Sequence, residues 1–206
     1  MTLVIGSRNE LQPGDRRPAP GNLWLVQSFV NTRWDLERDL EDKFADSDGL
    51  STWLVERDLV PAGTPVSEAD FRRALDARDG LQALMFANNG IEPDRDAVGK
   101  LDRALHAPGP FVKLGADSRP DFAPSSPDVD GVLGLIGTIA AIAQLDGSWL
   151  RLKACPGDDC GWAFYDHSRN QASTWCSMSI CGARSKARDY RRRKRRAHPR
   201  ERAAEA

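Results

Sequence analysis

Residues 155–182 read CPGDDCGWAFYDHSRNQASTWCSMSICG, and this stretch holds all four cysteines of the chain. They fall as Cys155-x4-Cys160 and Cys176-x4-Cys181, with fifteen residues between the pairs. Two close pairs joined by a longer span let a chain return and close four thiolates into a tetrahedron around one ion. Zinc suits such a shell, having no strong directional preference and accepting four sulfur ligands in closed structural sites. A filled shell leaves no position for a catalytic water, so the expected role is structural, one zinc ion per chain, with metal binding coupled to folding. The spacing within each pair is at the long end of the knuckle range, and four ordinary buried or reactive thiols are the alternative.

The residues between the pairs fit a small metal-centred module. Gly157 and Gly161 let the first knuckle turn tightly, and residues 161–165 predict a short returning strand. Trp162, Phe164 and Tyr165 supply the local apolar material, Asp166–Asn170 a polar turn, and Trp175 a cover for one side of the metal. His167 is a weaker alternative ligand, since four thiolates already complete the shell. The same aromatics could stack on bases, although packing is the simpler role.

Downstream, residues 177–196 read SMSICGARSKARDYRRRKRR and predict a basic helix. Ser177 is a candidate N-cap, but Gly182 weakens a continuous helix and favours a start after Cys181. Arg184, Arg188, Arg191 and Arg195 recur at intervals of four, three and four, so they share one face, and Lys186 and Arg192 widen the positive surface. Ala183, Ala187 and Tyr190 are expected to face the small core. Such a helix can grip phosphates along a groove and reach guanine edges. A solvated basic tail is the alternative.

Charge divides at the same place. Residues 1–150 contain 15 Lys+Arg and 24 Asp+Glu, a net of −9, whereas residues 151–206 contain 14 and 6, a net of +8. Only the second part is drawn to a polyanion. The acidic part reads as mainly helical. Apolar residues mark a helix over 22–31, a second near 50–59, a third opening at Ser67 and ending at Asn88–Gly90, and a fourth over 93–106. Phe111–Leu114 and Trp149–Lys153 read as short strands. Val132–Leu145 reads as the most buried helix, too short for an ordinary membrane span. No signal peptide is apparent, so a cytoplasmic chain with no membrane partner is expected. His106, His167 and His198 are too dispersed for a catalytic triad, and acidic clusters such as Glu37–Asp39 and Glu41–Asp42 read as solvated surface. No enzyme is expected.

At this point the segment resembles the CGNR-type zinc-finger family of bacterial transcription regulators. The landmarks are Cys155, Cys160-Gly161-Trp162, Phe164, Asp166, Ser168-Arg169-Asn170, Trp175-Cys176-Ser177-Met178 and Cys181-Gly182, continued by Arg184 and Lys186-Ala187-Arg188. FVNTRW at 29–34 and FRRALDARDGLQAL at 71–84 look like the domain usually found before this finger. The naming motif Cys-Gly-Asn-Arg stands here as Cys181-Gly182-Ala183-Arg184, so the asparagine amide is missing.

The apolar patterning as a whole predicts a mainly α protein. A flexible segment (1–20) would precede a mainly helical, effector-binding regulatory domain with minor strands (21–150). A tetracysteine zinc finger with its basic C-terminal helix (151–196) and a flexible tail (197–206) would follow. The resemblance implies a ligand- or stress-responsive regulatory domain followed by a zinc-dependent DNA-binding module, and neither a ligand nor a regulated gene. The expected function is a DNA-binding transcription regulator acting on double-stranded DNA, with a small-molecule effector and a homodimer as further expected partners. An RNA-binding regulator and a zinc-stabilised protein-interaction adaptor are the competing readings.

Overall fold

The computed structural model describes residues 12–34, 41–106, 109–114 and 120–197. The clusters at Glu37–Asp39 and the last residues of the tail lie outside them. Helix α1 spans Leu23–Val30, and all eight of its residues are buried, where the sequence pattern suggested one apolar side. Helix α2 (Ser47–Glu56) begins at an Asp46 side chain that accepts from the Gly49 amide. Helix α3 (Glu68–Ala87) opens on the expected Ser67 cap, made reciprocal because Asp70 accepts from the Ser67 amide in return. Helix α4 (Arg95–Ala104) is capped by Asp94.

Strands β1 (Phe111–Leu114) and β2 (Pro120–Ala123) pair antiparallel, Phe111 opposite Ala123. Helix α5 (Val129–Leu145) follows, with Asp128 capping Gly131. The expectation that 132–145 is the most buried helix is overturned: α1 is buried throughout, whereas Ala141, Gln144 and Leu145 of α5 are exposed, Leu145 by 89 %, because the end of α5 runs out from the core. The strand expected over Trp149–Lys153 is mostly something else. Gly147 takes a left-handed φ of 78° and Asp146 receives the Ser148 amide, which winds Ser148–Arg151 into a three-ten turn. Strand β3 therefore covers only Leu152–Ala154. It pairs antiparallel with β4 (Ala163–Tyr165), Lys153 opposite Phe164.

The main core lies between α1, α3 and α5. At one side Phe29, Phe44 and Trp53 pack edge to face with centroids 5.6–5.8 Å apart. Arg78 is buried there and forks onto Asp42 at 2.7 and 2.8 Å. Leu152, Ala154, Ala163 and Tyr165 belong to this same core. The hairpin that carries the first cysteine pair is thus built into the helical domain. Among the described residues, no helix is long and apolar enough to cross a membrane.

Candidate metal centre and basic helix

The β3–β4 hairpin extends past its strands. The Cys155 amide donates to the Trp162 carbonyl at 2.9 Å and the Gly161 amide to the Cys155 carbonyl at 3.1 Å. Within the turn, the Cys160 amide reaches the Gly157 carbonyl at 3.0 Å, aiming Cys155 and Cys160 to one side. Gly157 is required for closeness, because a Cβ there would lie 3.1 Å from the Cys181 sulfur. Gly161 is required for its φ of 65°, in the left-handed region.

The connection to the second pair is organised by a buried ion pair. Lys153 Nζ donates to Asp166 Oδ2 at 2.9 Å and to the carbonyls of Gln171 and Ser173. Burial works to raise the Asp166 carboxyl, but hydrogen bonds from Ser168, Lys153 and Ser173 outweigh it and hold the group well below the usual carboxylate range. The polar turn expected at Asp166–Asn170 is therefore built on a wholly buried carboxylate.

These two segments bring the four sulfur atoms within 4.8 Å of one another. The sulfurs of Cys160 and Cys176 are 3.7 Å apart, as are those of Cys176 and Cys181. Disulfide sulfurs would be about 2.05 Å apart. A tetrahedral ion at about 2.3 Å from each sulfur needs edges of about 3.8 Å. The cluster is thus positioned to chelate a metal ion, and the cysteines fit it. As thiols the groups are strongly unequal. Hydrogen bonds from Cys160 and Cys176 push Cys155 down to about 2, while the same sharing pushes Cys160 up to about 12 and raises Cys176. Trp162, Phe164, Trp34 and Trp175 wrap the sulfurs in a small apolar cluster separate from the main core.

Much of the cluster's support comes from outside the finger. Just past the end of α1, the Asn31 side chain donates to the Ala163 carbonyl at 2.9 Å and accepts from its amide at 2.7 Å. Gln27 donates to the same carbonyl at 3.1 Å. From α3, Gln82 holds the Gly161 carbonyl at 2.9 Å. Past the end of α3, Asn89 Nδ2 donates both to Ala154 and to Thr174, each one or two residues ahead of a cysteine. Arg16 reaches the carbonyls of Trp175 and Cys176 at 3.1 and 2.9 Å, contacts that of Tyr165, and lies 4.8 Å over the Phe164 ring. Residues 12–20, read from sequence as part of a flexible lead, thus strap the second knuckle; residues 1–11 lie outside the described residues. His167 turns to this strap, its Nε2 3.0 Å from the Pro18 carbonyl, and is not among the clustered ligands.

One clue to this support was readable. Gln27 in α1 and Asn31 just past its end are amide side chains four apart on a mostly apolar segment, and buried amides need partners. The partners themselves were not readable.

The chain leaves the cluster through a π-helical turn, Met178–Gly182, which carries Cys181, and enters helix α6 (Ala183–Ala197). Ser177 does not cap it; its hydroxyl pairs with that of Ser179 at 2.9 Å. Arg184, Lys186, Arg191, Arg192 and Arg195 are exposed, while Arg188 is half-buried and ion-paired with Asp158 of the first knuckle. Arg188, Arg191, Arg192 and Arg195 line one shallow groove together with Asp189. The expectation that Ala183, Ala187 and Tyr190 face the small core is overturned, since all three are exposed, Tyr190 by 62 %. The reason is that α6 runs out from the cluster, with no described side chain from Ala183 to Arg195 fully buried, so there is no core on its length for them to face.

Two family models match the chain. Residues 23–146 match the family model ABATE, described as "Putative stress-induced transcription regulator". Residues 151–194 match the model described as "CGNR zinc finger". Both describe regulatory rather than catalytic domains. No curated protein matches the chain.

Proposed function

We propose a function from one premise: the chain belongs to the ABATE family, with a CGNR zinc finger following in the same chain. It is a cytoplasmic DNA-binding transcription regulator. Cys155, Cys160, Cys176 and Cys181 hold one structural zinc ion, and α6 binds double-stranded DNA through Arg184, Lys186, Arg188, Arg191, Arg192 and Arg195.

The observation that carries this reading is the join between cluster and helix. The fourth cysteine lies two residues before a helix that bears nine Lys or Arg and one Asp over residues 183–197. Zinc would fix the direction in which this helix leaves the protein. Its positive charge would then neutralise phosphates and release counterions. The acidic helical domain would carry the signal. An apolar cleft of about 340 Å³, lined by Leu23, Phe122, Ile139, Ile142 and Ala143, is at the small end of the range for an effector.

The test is binding of the zinc-loaded full chain to varied duplexes over a salt series, with matched RNA and acidic protein as competitors. Duplex binding that weakens linearly with the logarithm of salt supports the reading. RNA displacing every duplex selects the RNA regulator. Specific binding to the acidic protein, indifferent to nucleic acid, selects the adaptor.

A further inference from the structure

Helix α6 has an inner and an outer side, and its arginines occupy neither cleanly. Ser185, Arg188 and Asp189 are half-buried, whereas the other described side chains from Ala183 to Arg195 are exposed. At 3.6 residues per turn those three share one side, and the Arg188–Asp158 ion pair ties that side to the first knuckle. Diametrically opposite lie Ala183, Ala187 and Tyr190, at intervals of four and three. This outward stripe is apolar over its first three positions and ends on exposed Lys194, four residues after Tyr190. It is bordered by Arg184, Arg191 and Arg195 on one flank and by Lys186 and Arg193 on the other.

An exposed apolar stripe between two rows of cations has a restricted set of partners. A second copy of the helix would set like charges against each other. The major groove of B-form DNA meets each requirement. It is about 12 Å wide and admits a helix of about 10–12 Å diameter. Its walls are two phosphate rows, and its floor displays base edges with the apolar C5-methyl of thymine. Fifteen residues of α6 span about 22 Å at about 1.5 Å per residue, which crosses the groove.

We propose that Ala183, Ala187 and Tyr190 form the base-reading edge of this protein, facing the groove floor while Arg184, Arg191, Arg195, Lys186 and Arg193 hold the two backbones; Arg188 and Arg192, both on the inner side, thereby leave the DNA-contacting set. This rests on the reading that α6 binds duplex DNA. Ala183 and Ala187 present methyl groups, and Tyr190 a ring edge with a hydroxyl, so the favoured contacts are to thymine methyls. Ala183 opens the reading edge at the N-terminal end of α6, and its identity sets the base read there. An asparagine at this position would offer the paired donor and acceptor that match adenine. Arg184 falls on a flank.

The experiment is a sequence-unbiased duplex selection with zinc-loaded full chains of the parent, Ala183→Asn, Tyr190→Ala and Arg191→Ala. All three substitutions are at exposed positions, and zinc content and melting temperature confirm that each chain is folded. Arg191→Ala should select the parental motif, bind every sequence more weakly, and lower the salt slope by about one. Ala183→Asn should move one motif position from thymine to adenine. Tyr190→Ala should cut discrimination between preferred and random duplex by about tenfold at an unchanged salt slope. Unchanged motifs and discrimination in both stripe variants would overturn the inference, as would a motif that changes with Arg191→Ala. A parent that binds duplexes with no sequence preference overturns it too, but leaves DNA binding standing. A parent that binds no duplex at low salt sinks both.

Discussion

Asn89, in the turn that closes α3, donates a hydrogen bond of 2.8 Å to the carbonyl of Thr174, two residues before the third cysteine. The same amide nitrogen donates at 2.9 Å to Ala154, the residue before the first cysteine. One side chain of the helical domain therefore sets the separation of the two segments that bring the cysteine pairs together. Asn89→Asp keeps the shape but removes both donors and sets a negative charge against two carbonyls. It should weaken zinc binding by about 10–100-fold, read by competition with a chelator. Asn88→Asp is the matched control, because Asn88 holds the carbonyls of Trp149 and Leu152 at 2.8 Å, farther from the sulfurs. It should lower the melting temperature with a smaller change in zinc affinity. Parental affinity in Asn89→Asp would show that the clamp does not act on the metal.

Cys176→Ser removes a sulfur that stands 3.7 Å from two others. Zinc content should fall from one ion per chain. The helical domain should melt earlier as well, since the finger hairpin contributes Leu152, Ala154, Ala163 and Tyr165 to its core. Zinc analysis and calorimetry on the same sample read both effects. Parental values for both would refute the ligand assignment.

Lys153 and Asp166 are a buried pair at 2.9 Å, so removing one partner strands the other. Lys153→Met should cost about 3–5 kcal/mol in chemical denaturation of the zinc-loaded protein. The pH dependence has a definite sign. The Asp166 carboxyl titrates lower when folded than its unfolded value of about 3.9. Its contribution is therefore complete above the unfolded value and is lost as pH falls through the lower, folded one. Asp166→Asn should flatten that part of the acid limb. An acid limb identical to the parent's would contradict the assignment.

Gly80 is where α3 and α4 cross most closely. A Cβ there would meet the Leu101 Cβ at 2.4 Å and the Ala97 carbonyl oxygen at 2.6 Å, both fixed parts of the opposing helix. Gly80→Ala should therefore destabilise by about 1–3 kcal/mol, despite alanine's better helix propensity. Denaturation followed by circular dichroism measures this, and a stabilised variant would place the crossing farther apart.

The elements with local signals were the legible ones. Ser67 and Asp70 announce the start of α3 because a capping box is written within four residues. The cysteine spacing likewise announces the cluster, since metal chemistry demands those side chains. What could not be read depends on contacts across the chain. Arg16 lies 160 positions from the Cys176 carbonyl it holds, and nothing in either neighbourhood names the other. The outward turn of Ala183, Ala187 and Tyr190 was misread for a related reason. Small and aromatic residues at helical spacing normally mark a packed face, but α6 runs out from the cluster and has no fully buried side chain from Ala183 to Arg195. The separation into two domains was drawn from charge, which follows the surface, while the hairpin's apolar residues continue the helical core.

The central claim is that a metal-closed cluster presents α6 to duplex DNA. Duplex affinity should be measured on one sample as zinc-loaded chain, after removal of zinc by a chelator, and after zinc is restored. The expected result is binding that is lost with the metal and recovered with it. A metal-free chain that grips duplex as tightly as the loaded one would contradict the claim, leaving the arginines as a basic tail that needs no scaffold.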